Sequence, residues 1–226
     1  IIDMNRSKYI LCFYILFYKS ILKWIVESRG NIMKKKYDGW LGTFEYDSKE
    51  FKIDTMIYEY LHYIGSETDG SKIIIPKGIE KCRFMFRNCK LKTPPIIPDT
   101  VEDCAFMFIR CESLEYAPDI LNLDKLKECG YMFSGCNNLK KAPSIPKGVR
   151  SCMGMFEKCI NLEEAPSVIP DTVEDCSYMF SGCNSLKKAP SVTNKMADCS
   201  FMFYHCTNLE EKPSIPEGTS SIFAFS

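Results

Sequence analysis

The sequence predicts a repeat solenoid, and three observations predict it. A Cys-x-x-Met-Phe-x-x-Cys unit occurs six times, its first Cys at 82, 104, 129, 152, 176 and 199, so that successive spacings are 22, 25, 23, 24 and 23 residues. The Met-Phe pair returns each time, as Met85-Phe86, Met107-Phe108, Met132-Phe133, Met155-Phe156, Met179-Phe180 and Met202-Phe203. Downstream of each unit comes a Leu and then a proline-bearing stretch such as Pro143-Ser144-Ile145-Pro146. A single turn of such chain cannot bury its own apolar face, so successive turns must stack as rungs to make a continuous core.

Residues 1–32 share none of this periodicity. Tyr9 to Tyr18 is an apolar and aromatic run with Arg6 and Lys8 before it and Lys19 and Lys23 after it. As a membrane-spanning helix the run is short and interrupted by charge. As a signal peptide it lacks a small-residue cleavage site. Arg29-Gly30 just ahead of Met33 fits translated upstream sequence with Met33 as the true start; a signal or anchor helix is the other reading. A membrane partner is expected only if residues 9–26 form a real anchor.

Residues 33–72 read as a small β-rich N-terminal cap. Thr43 to Asp47 and Phe51 to Asp54 alternate apolar with polar around Ser48-Lys49, which is a hairpin pattern. Met56 to Ile64 fits strand or helix, and Gly65 to Gly70 is a turn cluster leading into Ile73-Ile74-Ile75-Pro76.

Residues 73–226 are the array, written as V-x-x-C-x-x-M-F-x-x-C-x-x-L-x-x-x-P-x-I/V-P. A period in the twenties marks a leucine-rich-repeat-like fold or a related β-solenoid, with short parallel strands plus short helical or 3-10 turns. From Asp175 to Cys183 the apolar residues fall at i, i+3, i+4 and i+7, which predicts a short helix or 3-10 turn. The proline stretch predicts extended chain. Six full rungs are expected, and Ile215 to Phe225 starts a seventh that stops before its second Cys, so the array is expected to be truncated at its C-terminal end.

With 29 Lys plus Arg against 29 Asp plus Glu, the 226-residue chain has no net pull toward nucleic acid, and a nucleic-acid partner is not expected. Twelve of the 13 cysteines sit at the two repeat positions and only Cys12 lies elsewhere. Stacked like positions would be ~4.8 Å apart with parallel side chains, whereas a disulfide needs converging Cβ atoms ~3.8 Å apart. The cysteines are therefore expected as buried core ladders, ahead of disulfides or a metal. No metal, cofactor or catalytic residue is expected. His62 and His205 are the only histidines, and His205 beside Cys206 does not make a dyad by sequence adjacency alone.

The candidate surface residues follow each Leu: Glu115-Tyr116, Lys140-Lys141, Glu163-Glu164, Lys187-Lys188 and Glu210-Glu211. Acidic and basic rungs alternate, so stacking should set each Lys pair between Glu pairs and fix the register. A partner-facing role for Tyr116, Lys140, Lys141, Glu163, Glu164, Lys187, Lys188, Glu210 and Glu211 is the functional alternative to this structural one.

The unit, seen as Val173-Cys176-Met179-Phe180-Cys183-Leu186 and Val149-Cys152-Met155-Phe156-Cys159-Leu162, resembles that of the BspA-like leucine-rich-repeat surface proteins of bacteria. The chain departs by placing Cys where that family has Met. The resemblance implies a non-catalytic binding or adhesion module that meets a protein or glycan ligand at the cell surface. The alternative is an intracellular or phage-borne interaction scaffold of the same fold, and a start at Met33 would place it in the cytoplasm. Deleting residues 1–32 should leave the array folded, since that segment lacks the repeat. Loss of cooperative thermal unfolding in the shortened chain would contradict this.

Overall fold

In the computed structural model the described residues are 35–36, 43–46 and 49–52, as backbone strands, together with 69–73, 75, 78–192, 197–211, 217 and 219. The expectations for residues 1–32, for Met56 to Ile64 and for most of the seventh repeat lie outside them. Strands β1 (Lys35–Lys36), β2 (Thr43–Tyr46) and β3 (Lys49–Lys52) form an antiparallel sheet in that order. Tyr46 lies opposite Lys49, so the β2–β3 connection is Asp47-Ser48, one residue earlier than the sequence pattern placed it.

The array begins where Asp69 pairs in parallel with Thr93. Asp69 caps a 3-10 turn over Gly70–Lys72, accepting from the Ser71 backbone N–H. Gly70 donates to the Thr93 carbonyl at 3.0 Å, and a Cβ on Gly70 would lie 2.3 Å from that oxygen. Only glycine lets the two chains approach so closely.

From there each turn of chain lies on the next through parallel single-residue bridges: Lys81 to Asp103, Asp103 to Glu128, Glu128 to Ser151, Ser151 to Asp175, and Asp175 to Asp198. A second column runs Lys141 to Glu164 to Lys188. The longest parallel pairing among the described residues is two residues long, β4 (Val168–Ile169) with β5 (Ser191–Val192).

The Cys-to-Cys span corrects the sequence reading. It holds no helix and no 3-10 helix; it is a chain of overlapping β-turns. In the rung that starts at Cys129, Met132, Ser134 and Cys136 donate back to Cys129, Tyr131 and Phe133 of the same rung. The intervening amides of Cys129, Tyr131, Phe133 and Gly135 donate instead to Ser151, Met153, Met155 and Glu157 of the next rung, at 2.7–3.0 Å. The rungs starting at Cys82, Cys104, Cys152 and Cys176 repeat the pattern. A 3-10 helix would claim all of these amides internally and leave nothing to join the rungs. Releasing every second one requires left-handed backbone at two places per rung. Those places are Phe84, Phe106, Tyr131, Gly154, Tyr178 and Phe201, and Asn88, Arg110, Gly135, Lys158, Gly182 and His205. The apolar spacing of i, i+3, i+4 and i+7 survives because two turns cover the same length of chain.

The interior is a set of columns. Phe86, Phe108, Phe133, Phe156, Phe180 and Phe203 are buried and stack successively, with centroids 5.4–5.7 Å apart and planes within 13°. Met107, Met132, Met155, Met179 and Met202 and Leu91, Leu114, Leu139, Leu162 and Leu186 are fully buried beside them. Truncating an interior Phe would cost about 3–5 kcal/mol, as cavity formation adds to lost burial.

All twelve array cysteines are free thiols, and all but the partly buried Cys206 are buried. The second Cys of each rung is more than a small apolar residue. Cys111, Cys136, Cys159, Cys183 and Cys206 donate through Sγ to the carbonyls of Phe86, Phe108, Phe133, Phe156 and Phe180 in the preceding rung, at 2.8–3.2 Å. Burial pushes the thiols of Cys82 and Cys159 up to about 12 and those of Cys89, Cys199 and Cys206 up to about 11 from an ordinary value near 9.0.

These raised values carry a sign. An unfolded chain releases its thiol protons from about pH 9, while the folded chain holds them until about pH 11–12. The thiols therefore contribute stability in full below pH 9 and lose it as pH rises through that window. The urea midpoint should fall steeply between pH 9 and pH 11, and Cys152, Cys159, Cys176 and Cys183 should resist a thiol reagent at pH 7 until the chain is denatured. A flat alkaline profile, or labelling of these four in folded protein, would contradict the assignment.

Candidate functional site

Two exposed columns run along the array, and they differ in chemistry. The first is the charged one legible in the sequence. Glu115, Tyr116, Lys140, Lys141, Glu163, Glu164, Lys187, Lys188, Glu210 and Glu211 are all exposed. Stacking brings opposite charges together: the Lys141 Nζ lies 2.7 Å from a Glu164 carboxylate oxygen, and Glu164 is bridged in turn to Lys188. Backbone bonds from Glu163 to Lys140 and from Glu210 to Lys187 hold the same register. Lys92, which sequence reasoning missed, extends the alternation to the first rung, with its Nζ 3.8 Å from Glu115. The signal was there, since Lys92 follows Leu91 just as Glu115 follows Leu114; the shortened Cys89-to-Leu91 spacing hid it. Such pairs are solvated and stabilise by ~0.2–1 kcal/mol each.

The second column was not anticipated. At the left-handed position two residues after the first Cys stand Phe84, Phe106, Tyr131, Tyr178 and Phe201, each half-buried. Phe84 stacks on Phe106 at 4.6 Å, Phe106 on Tyr131 at 5.1 Å, and Tyr178 on Phe201 at 4.9 Å. The backbone forces these side chains outward, away from the buried Met-Phe pair that follows them. Gly154 interrupts the column, and the Tyr131 ring leans over it, its carbons 2.3–2.8 Å from where a Cβ would stand. An aromatic at every repeat but one was visible as sequence. Its stacking from rung to rung followed only from the structure.

Beside this aromatic column runs the residue before each first Cys: Lys81, Asp103, Glu128, Ser151, Asp175 and Asp198. Several of these have a structural task. Asp103, Asp175 and Asp198 accept through Oδ1 from the amides of Ala105, Ser177 and Ser200, at 2.7–3.0 Å. Ser151 Oγ accepts from Met153 at 3.5 Å. Those amides are the ones that neither the turns nor the next rung takes up. Asp103 has a further partner, as its Oδ2 lies 3.2 Å from Arg83 Nη1 while the Arg83 guanidinium sits 5.7 Å from the Phe106 ring centroid. Glu128 has its carboxyl pushed up by burial first and then by Asp103.

Cys206 donates its thiol to the Phe180 carbonyl and lies partly buried, with its pKa pushed up to about 11, while exposed His205 lies with its ring against Tyr204. Among the described residues no group of three or more His, Cys, Asp or Glu is placed to hold a metal, and no helix is long and apolar enough to cross a membrane.

A family model described as BspA type leucine rich repeat region matches the chain in 6 copies, over residues 55–187 and 130–226. Among solved structures, a leucine-rich repeat protein from Bacteroides ovatus ATCC 8483 is similar with a TM-score of 0.52 and 22% identity. That likeness covers 88% of this chain and 56% of the other, and at this identity it speaks to the fold alone. No curated protein matches the sequence.

Replacing both Lys187 and Lys188 with Glu would set three acidic rungs in succession. Stability should fall by about 1 kcal/mol at low salt and recover in part as added salt screens the repulsion. An unchanged melting temperature at low salt would show that these rungs do not interact.

Proposed function

Because the chain belongs to the BspA-type leucine-rich-repeat family, whose repeats generally mediate protein interactions, we propose that it is a non-catalytic binding module that offers its stacked surface to a protein or glycan ligand. In this reading the array is a six-rung solenoid and residues 33–72 cover its N-terminal end. The observation that carries the proposal is the half-exposed aromatic column from Phe84 to Phe201. Rings cost less when buried in the core, yet the left-handed turn holds five of them at the surface, at the same place in five of the six rungs. Aromatic side chains are the usual anchors of recognition because they bring large area at low entropic cost.

The charged column plays a lesser part. Its members, Tyr116 apart, largely neutralise one another along the stack, so Lys140, Lys141, Glu163, Glu164, Lys187, Lys188, Glu210 and Glu211 set register and contribute a polar rim. Tyr116, 63% exposed, is the one member suited to direct apolar contact. Replacing Phe106 and Tyr178 together with Ala should weaken binders selected from peptide-display and glycan arrays by tenfold or more while the array remains folded by circular dichroism. Failure of the intact array to select any binder, or binders indifferent to the double substitution, would overturn the proposal.

A further inference from the structure

Arg83 is held on the outer surface by two groups of the neighbouring rung. It extends from the position just after the first Cys of its rung and reaches the next rung, where two groups receive it. The Asp103 carboxylate binds it through Oδ2 at 3.2 Å, and the Phe106 ring lies under the guanidinium at 5.7 Å. Asp103 keeps Oδ1 for the Ala105 amide, so one carboxylate divides its two oxygens between the backbone and the guanidinium. A carboxylate with an aromatic face is a strong combination for a planar cation, which gains charge-assisted hydrogen bonds and a cation–π contact together.

The same pair of positions recurs three times with the receiving groups and without the arginine. In the last of these, Asp198 with Phe201, the Tyr204 ring meets Phe201 edge-on at 5.8 Å. The other two are Glu128 with Tyr131 and Asp175 with Tyr178. The position equivalent to Arg83 is Ala105 ahead of the Glu128 pair and Met153 ahead of the Asp175 pair, and neither side chain carries charge. Asp175 gives Oδ1 to both the Ser177 amide and the Ser177 hydroxyl, by the same division as Asp103. The nearby Arg150 is drawn to Glu174, at 3.7 Å. Between these two pairs lies the rung of Ser151 and Gly154, which has neither carboxylate nor ring at these positions and leaves relief over which Tyr131 leans.

We propose that the Glu128–Tyr131 and Asp175–Tyr178 pairs are docking sites for two arginine side chains of a partner polypeptide, which they hold as Asp103 and Phe106 hold Arg83. The inference rests on the binding-module reading above and names its partner class. The sites are two rungs apart, roughly 10 Å at ~4.8 Å per rung. A polyproline II segment brings residues i and i+3 to one face with a rise of about 9 Å. The fitting partner is thus an extended peptide with arginines three apart, lying along the array and passing over Gly154. Arginine is favoured over lysine because only the guanidinium can stack flat while forking onto the carboxylate.

The test uses a fluorescein-labelled Arg-Pro-Pro-Arg peptide, its Lys-Pro-Pro-Lys and norleucine analogues, and the full chain. Fluorescence anisotropy should show binding of the arginine peptide, several-fold weaker binding of the lysine peptide and none of the norleucine peptide. Asp175→Asn keeps an oxygen for the Ser177 amide, and Glu128→Gln keeps its length, so both variants should remain folded; each should weaken the arginine peptide by about tenfold. Equal binding of the arginine and norleucine peptides would overturn the inference, as would equal binding by folded E128Q and D175N variants. Display-selected binders that need Phe106 and Tyr178 but are indifferent to both substitutions would overturn this inference alone and leave the binding-module reading standing.

Discussion

Everything in this array depends on how the backbone divides its amides between two obligations. Within the Cys-to-Cys span one N–H closes a turn in its own rung and the next reaches to the neighbouring rung. The turns give each rung its shape, and the other amides join it to the next, so neither set can be changed without the other. The left-handed residues are the cost of the arrangement, and for a non-glycine residue that conformation is uncommon. It persists because the surrounding bonds over-determine it. The acidic and hydroxyl side chains before the first Cys complete the account by taking the one amide that both obligations leave aside.

The same constraint explains why cysteine is so abundant. A rung step is short, and the carbonyl of each core Phe needs only a slender donor from the rung after it. A cysteine thiol fits beneath a stacked phenyl ring and still offers an S–H, which leucine or alanine could not. The first Cys of each rung is packed among the same columns, where burial keeps its thiol protonated. Structure and side-chain chemistry thus select the residue independently of any redox or metal role.

The fold was legible in the sequence wherever repetition reports burial. The Met-Phe pairs, the Leu positions and both Cys ladders fall in the core that their period implied, and the Glu and Lys runs stack in alternation. What misled was local geometry. An apolar pattern of i, i+3, i+4 and i+7 marks which side chains face inward, and a helix and a run of β-turns can give the same answer. Only the hydrogen-bond demand of a neighbouring rung distinguishes them, and that demand is non-local. The outer aromatic column was missed for the same reason. Phe106 and Tyr178 stand two residues after the first Cys, off the inward-facing positions, and only the stacking of rungs lines them up as a column. Arg83 was missed because its two partners belong to another rung.

The rung-to-rung bonds also determine how the array answers to force. They run along the stacking direction, so tension applied between the two ends loads successive interfaces in series, each carried by a small set of amides. Such a stack yields at its weakest interface first and releases one rung of 22–25 residues at a time, roughly 75–90 Å of extended chain per event. The interfaces on either side of Gly154 lack the outer ring stack that reinforces those from Phe84 to Tyr131 and from Tyr178 to Phe201. Under load the molecule would therefore lengthen stepwise from its middle, behaving as a shock absorber with a built-in place to give.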